Sequence, residues 1–242
     1  LSTDNSYEKL KNYYQGSDII SVVDAGKNAG YSAGNNIGIK LALNDGADAV
    51  LLSNSDVIYY EKAIDLMYDK LINSEEKIQI IGPQIRLENG ELQDFVRKNY
   101  NMTNYIFTKK PFRYFDFFGI NKRTYYKKYD YSEDLVFQGI LSGCCLLIGK
   151  TYFQKSGYLD ENVFLYFEES IIGMNAQKDN LLTCLVVNAV VLHKVSVSVG
   201  QKNSAFSRYH RSFSSLYMFK KYLKVSKIKF FILCFDNSLK SI

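Results

Sequence analysis

The apolar positions of this chain alternate between short β-branched runs and helix-spaced stripes. Ile19-Ile20-Ser21-Val22-Val23 is such a run and predicts a strand over 19–23. A Gly/Asn-rich turn follows at 28–36. Ala33, Ile37 and Leu41 then recur at i, i+4 and i+8, which is one face of a helix closed by Asp45-Gly46. Residues 49–53 predict a buried strand. Residues 60–73 predict an amphipathic helix with Ala63, Ile64, Met67 and Leu71 along one side. A strand is expected over 78–81, stopped by Gly82-Pro83. Strand and helix alternating at this spacing predict an α/β fold with a mixed, mostly parallel sheet flanked by helices.

Residues 99–131 break the rhythm. Twelve of these 33 residues are Tyr or Phe and seven are Lys or Arg, the composition of an inserted lid or flap. Beyond it, 134–143 reads as a loop, 144–148 as a strand and 152–157 as a short helix ending at glycine. A helix is expected over 168–178, then strands over 183–187 and 189–192 that end at His193. From 206 to 223 the spacing is helical, with Tyr209, Phe213, Leu216 and Tyr217 on one face and Arg208, Arg211, Lys220 and Lys221 elsewhere. The expected organisation is one α/β domain over 1–205, carrying the aromatic and basic insertion, followed by a basic aromatic helical tail over 206–242.

Composition narrows this picture. Of 242 residues 47% are hydrophobic, enough for a sizeable core and too many for wholesale disorder. No run of about 18 apolar residues occurs, so no spanning helix is expected. The chain starts on the polar Leu1-Ser2-Thr3-Asp4 with no signal-peptide pattern. Cys144, Cys145, Cys184 and Cys234 have no C-x-x-C spacing and read as small buried residues rather than a zinc site or disulfide framework. The net charge is +5, but 201–242 hold nine Lys/Arg against one acid, which leaves −3 for the remainder. A mildly acidic body with a basic tail suits anionic partners such as phospholipid or a phosphorylated substrate.

Three places could carry chemistry. Ser53-Asn54-Ser55-Asp56 is a polar turn at the end of an apolar run, which by itself reads first as a cap or turn for the next element and second as a place where an Asp could hold a hard divalent cation. Glu168 and Glu169 follow an aromatic-apolar run at the start of an expected helix. They could supply a general base, or simply favour a helix N-terminus. His193 ends an apolar strand and is one of two histidines; a lone strand-end histidine can be a ligand or a structural residue. The other, His210, falls in the basic helix and reads as surface.

In order and spacing these pieces resemble family 2 glycosyltransferases, in particular the rhamnosyltransferase-like branch. The matching blocks are Asn28-Ala29-Gly30-Tyr31-Ser32-Ala33-Gly34-Asn35-Asn36-Ile37-Gly38, Leu52-Ser53-Asn54-Ser55-Asp56-Val57, Gly143-Cys144-Cys145-Leu146-Leu147-Ile148, Gly157-Tyr158-Leu159-Asp160-Glu161 and Phe164-Leu165-Tyr166-Phe167-Glu168-Glu169. Leu192-His193 with Ser198 is similar to the family's late histidine block, and Arg211 falls where the branch often has an Arg-Asn pair. Ile171 and Asn175 stand where an acid and an arginine are usual. Leu1-Ser2-Thr3-Asp4 resembles the inside of the family's Asp-Asn-x-Ser-x-Asp segment, and the resemblance implies about one strand–helix unit, roughly 30–40 residues, that the family pattern places ahead of it.

The resemblance implies a GT-A fold, a nucleotide-sugar donor, a glycan or lipid-linked acceptor and an inverting transfer. It implies that Asp56 and His193 bind Mg²⁺ or Mn²⁺, that Asp4, Asn28, Gly30, Asn35 and Asn54 lie against the nucleotide sugar, and that Glu169, with Glu168 beside it, takes the acceptor proton. The expected setting is cytoplasmic, with the basic tail meeting the inner face of the cell membrane. The alternative is a truncated or degenerate GT-A domain that binds without catalysis. A nucleic-acid role is disfavoured, because the body is net negative and carries no base-reading motif.

Overall fold

The computed structural model of the chain describes residues 4–93, 96–101, 131–194 and 204–238. In chain order its elements are α1 (Ser6–Tyr13), α2 (Tyr31–Asn44), β1 (Ala49–Ser53), β2 (Val57–Tyr59), α3 (Ala63–Ile72), β3 (Ile78–Leu87), β4 (Arg97–Lys98), β5 (Leu135–Phe137), β6 (Gly139–Ile140), β7 (Cys145–Gly149), α4 (Lys150–Ser156), α5 (Glu168–Lys178), β8 (Leu182–His193), α6 (Ala205–Lys221) and α7 (Lys227–Ser238). Most of the 99–131 insertion lies outside the described residues.

The main sheet runs β1-β7-β3-β8-β2, with β5 also on β8; β4 and β6 form a separate two-stranded pair. The expected α/β architecture with a mixed sheet is present. Parallel pairing is narrower than the alternation predicts. Among the described residues it is confined to β3 with β8, while β1/β7, β3/β7, β2/β8 and β5/β8 are antiparallel. The antiparallel pairs join strands far apart in the chain, so their direction is set by long-range pairing that local alternation of strand and helix does not encode. Thus 135–137 and 139–140, expected as loop, pair with β8 and β4.

Alternation along the strands sends side chains to opposite faces of the sheet. Ile80, Leu146, Ile148, Leu185 and Val187 join Ile39 of α2, Tyr152 and Phe153 of α4, and Ile172 and Ala176 of α5. Ile78, Ile81, Cys145, Leu147, Cys184, Val186 and Val191 face Ala63 and Met67 of α3. Cys144, Cys145, Cys184 and Cys234 are all free thiols, the first three buried. A third cluster joins Val163 and Ile171 to Met218 and Phe219 of α6 and Leu233 of α7. Ile171 therefore occupies an apolar site, where an acid would be buried without water.

Several local expectations are corrected. Residues 19–23 carry no regular secondary structure and pair with no strand among the described residues, and Ile19 is 92% exposed. β3 does not stop at Gly82-Pro83. It runs on to Leu87, and the missing Pro83 N–H is accommodated by a register shift between Pro83 and Gln84. The same shift explains why β8 is one strand through the exposed Asn188 rather than two. On α2 the buried residues are Ser32, Asn36 and Ile39, not the Ala33/Ile37/Leu41 stripe. On α6 they are Ser207, Ser214, Ser215, Met218 and Phe219, leaving Phe206, Tyr209 and Phe213 exposed. Among the described residues no helix is long and apolar enough to cross a membrane.

Candidate active site

The polar turn after β1 is pinned by Asn54, whose N–H donates to the Cys144 carbonyl at 2.8 Å, and by Asp56, whose carbonyl accepts from Lys194 N–H at 2.9 Å. Because β2 pairs with the end of β8, with Val57 opposite His193, the turn and the histidine are neighbours. His193 Nε2 stands 3.4 Å from Asp56 Oδ1, both side chains being largely buried. Asp56 Oδ1 has no hydrogen-bond partner. The other ring nitrogen, Nδ1, lies 2.9 Å from Gln93 Oε1.

This pair fits a small hard cation. A buried carboxylate oxygen without a partner, beside an imidazole nitrogen, offers two protein ligands. Mg²⁺ or Mn²⁺ commonly takes only one or two such ligands and completes its shell with water and substrate phosphates. Among the described residues no cluster of three or more His, Cys, Asp or Glu side chains gathers for a metal, so a cation at this pair would complete its shell with water or ligand oxygens.

A cavity of about 200 Å³ is lined by Asn54 from the same turn and by Tyr31, Leu52, Gly143, Leu146, Leu165, Tyr166, Glu168, Glu169 and Ile172. Glu168 and Glu169 open α5. The two residues ahead of them, Tyr166 and Phe167, take left-handed φ angles of 72° and 71°, which only a well-braced loop sustains for non-glycine residues. Burial, and then the charge of Glu169, pushes the Glu168 carboxyl up to about 8. Burial raises Glu169 as well, against the pull of Arg97. Glu168 Oε1 has no hydrogen-bond partner. Gly143 carries no side chain in front of Glu169; a Cβ there would stand 3.8 Å from its Oε2. The rest of the lining is largely apolar, so the cavity sets two acids whose ionisation burial disfavours against a low-polarity wall.

The brace for that loop comes from both flanks. Gly30, at φ 96°, lets the chain press against Phe164; a Cβ at this position would lie 2.5 Å from the Phe164 oxygen. The next residue, Tyr31, donates its N–H to Phe164 O at 2.8 Å and its hydroxyl to Gly143 O at 3.0 Å. Burial, with the Glu168 charge, holds the Tyr31 phenol far above its ordinary range. Buried Asn36 donates to Leu159 O and Glu161 Oε1 and accepts from Leu159 N–H. On the other flank Asp160 Oδ2 accepts from Tyr217 and Tyr222 hydroxyls and from Lys221 Nζ. Burial opposes ionisation of Asp160, but the hydrogen bonds from Tyr222, Asn162 and Lys221 outweigh it and hold the carboxyl well below the usual range.

The structure thus brings Asp56 to His193, and Asn54 to Glu168 and Glu169. The other expected residues do not line the cavity. Asp4 is exposed and accepts from Ser6 N–H at the start of α1. Asn28 is exposed and closes a turn on Gly30 N–H. Asn35 donates to Tyr31 O within α2. The close approach at Gly30 is made by Phe164 rather than left open. Tyr31, Gly143 and Gln93 escape sequence reasoning about the site. Tyr31 and Gly143 lie inside recognised motifs, but nothing local marks their contact across 112 positions.

The sequence profile of glycosyl transferase family 2 matches residues 1–132. Two curated relatives are 35% identical over 75 residues, which is 31% of this chain and 24% of each relative. Both are named N-acetylglucosaminyl-diphospho-decaprenol L-rhamnosyltransferase, from Mycobacterium tuberculosis strains CDC 1551 / Oshkosh and ATCC 25618 / H37Rv. The match therefore spans about a quarter of the length of those relatives.

Proposed function

The chain belongs to glycosyl transferase family 2, and we propose that it moves a sugar from a nucleotide-sugar donor to a glycan or lipid-linked acceptor in cell-surface glycan synthesis, with inversion at the anomeric carbon. The observation that carries this reading is the cavity in which Asn54, from the Asp56 turn, faces Glu168 and Glu169. Asp56 and His193 would hold Mg²⁺ or Mn²⁺, which when bound supplies positive charge to the leaving diphosphate. Asn54 orients the donor from the same turn. Glu169 accepts the proton of the acceptor hydroxyl as that oxygen attacks the anomeric carbon opposite the leaving group. Glu168 stands beside it as the second acid of the cavity. The apolar walls exclude water that would otherwise compete as acceptor. The relatives' names favour a rhamnose donor and a lipid diphosphate acceptor for this chain too.

A peripheral contact with the cytoplasmic face of the membrane belongs to the same proposal. Phe206, Tyr209 and Phe213 of α6 and Ile228 and Phe231 of α7 are exposed, and so are Arg208, Arg211, Lys220, Lys224, Lys227 and Lys229. Exposed aromatics among cations suit an anionic lipid surface. The deciding experiment is binding and transfer with a panel of UDP-, dTDP- and GDP-sugars in the presence of Mn²⁺. Saturable, Mn²⁺-dependent binding of one donor and its transfer support the enzyme. Binding without turnover under all acceptors would favour a non-catalytic domain, and no binding of any donor by the folded chain would refute the donor assignment.

A further inference from the structure

A histidine that presents one ring nitrogen to a cation must keep its proton on the other nitrogen, and that proton needs an acceptor. In this chain the nitrogen facing Asp56 is Nε2, at 3.4 Å from Oδ1, and the nitrogen facing away is Nδ1. The group against Nδ1 is the Gln93 amide oxygen, at 2.9 Å. We infer that Gln93 is the positioning residue of this site: its Oε1 accepts Nδ1–H of His193, which leaves the Nε2 lone pair directed at the Asp56 side. The inference rests on the reading of Asp56 and His193 as a cation site and adds the residue that orients the histidine.

The backbone supports this assignment. Gln93 is delivered by a tight return off β3. Gly90, at φ 81°, makes the turn, with Gly90 N–H on Leu87 O at 2.8 Å and Leu87 N–H on Glu91 O at 2.9 Å. Asn89 Oδ1 accepts from Glu91 N–H, and Arg86 Nη1 donates to Gly90 O. The returning chain is then tied to β3 by the Arg86–Leu92 bridge and by Gln93 N–H on Ile85 O at 2.8 Å. β3 itself is in register with β8, Leu87 opposite His193. Both ends of the side-chain bond therefore sit on one hydrogen-bonded frame, and the partly buried Gln93 is not a loosely held surface group. An amide oxygen suits this task because it can accept the Nδ1–H hydrogen bond.

The test uses the full chain with ¹⁵N-labelled histidine. With only two histidines in the protein, a His210→Gln background leaves one ring to observe. Long-range ¹H–¹⁵N spectra, recorded where the ring is neutral and without metal, should give the Nδ1–H tautomer in the parent chain. Gln93→Leu should move the population to Nε2–H, and Gln93→Glu, which keeps the acceptor, should restore Nδ1–H. Mn²⁺ binding followed by EPR should weaken about 10-fold or more in Gln93→Leu and recover in Gln93→Glu. An Nε2–H tautomer in the parent, or no change in tautomer with Gln93→Leu, overturns the inference. Asp56→Ala separates the two readings. If it leaves Mn²⁺ binding intact, the cation site fails, while the tautomer spectra still decide what Gln93 does.

Discussion

Asp56 and the Glu168–Glu169 pair are carboxylates held at the ends of regular elements, yet the fold gives them opposite company. Asp56 leaves a strand and meets an imidazole nitrogen at 3.4 Å, with an amide behind the ring. Glu168 opens a helix, leaves its own Oε1 without a hydrogen-bond partner, and meets a second acid and walls of Leu146, Leu165 and Ile172. The first arrangement sets a carboxylate oxygen beside an imidazole nitrogen, two donor types that suit a cation. The second penalises negative charge, and the Glu168 carboxyl accordingly rises to about 8. Under the proposed function the same functional group would serve a cation in the first place and a proton in the second, and the difference lies in the neighbours rather than in the residue.

That contrast can be broken or sharpened by four substitutions. The largest effect is expected from Glu169→Gln: transfer should fall about 10²–10⁴-fold while donor affinity, followed by calorimetry, stays within about twofold. Unchanged turnover would remove Glu169 from the base role. Asp56→Ala should have the converse signature, with Mn²⁺-dependent donor binding weakened on the order of 10²-fold by loss of a ligand. If both variants lose donor affinity alike, the division into a cation end and a proton end is wrong.

Gly30→Ala tests whether the acid end depends on its brace. The new Cβ meets the Phe164 backbone at a φ that side chains avoid. The cost should be roughly 2–4 kcal/mol, read as a fall in Tm of about 2–4 °C per kcal/mol. Mn²⁺ binding at Asp56 and His193 should survive in the folded fraction.

The smallest effect concerns pH. A carboxyl raised above its ordinary value contributes stability that is full below about pH 4.5 and is lost as pH rises through about 8. Glu168→Gln removes that loss. Its Tm should exceed that of the parent by a few degrees at pH 8–9, the equivalent of about 1 kcal/mol or more, and converge with it near pH 5. A parent chain that gains stability across that interval relative to the variant would contradict the buried-acid description.

Much of the candidate site was legible in the sequence because its polar residues sit at element ends, where they interrupt apolar runs. Asp56 after β1, Glu168 and Glu169 at the head of α5, and His193 at the tail of β8 all announce themselves in this way. The residues that organise them do not. Tyr31 reaches Gly143 across 112 positions, Asn36 reaches Leu159 across 123, and Gln93 reaches His193 across 100. No local period encodes such contacts. Conversely, 19–23 has the composition of a strand without a described ladder partner, and β-branched residues cannot make a strand without backbone groups to pair with.

By itself the sequence determined the α/β layering, the helix over Glu168–Lys178 to the residue, the ordered motifs of the family and the chemical types available to a site. These follow from short-range periodicity and from residue order, which the chain carries locally. Only the tertiary structure decided that β3 runs through Pro83, that pairing is chiefly antiparallel, that the aromatic face of α6 points outward, and that Asn54 shares a cavity with Glu168 and Glu169. Those outcomes depend on which distant backbone groups and apolar faces satisfy one another. That competition is settled when the sheet assembles, not along the chain.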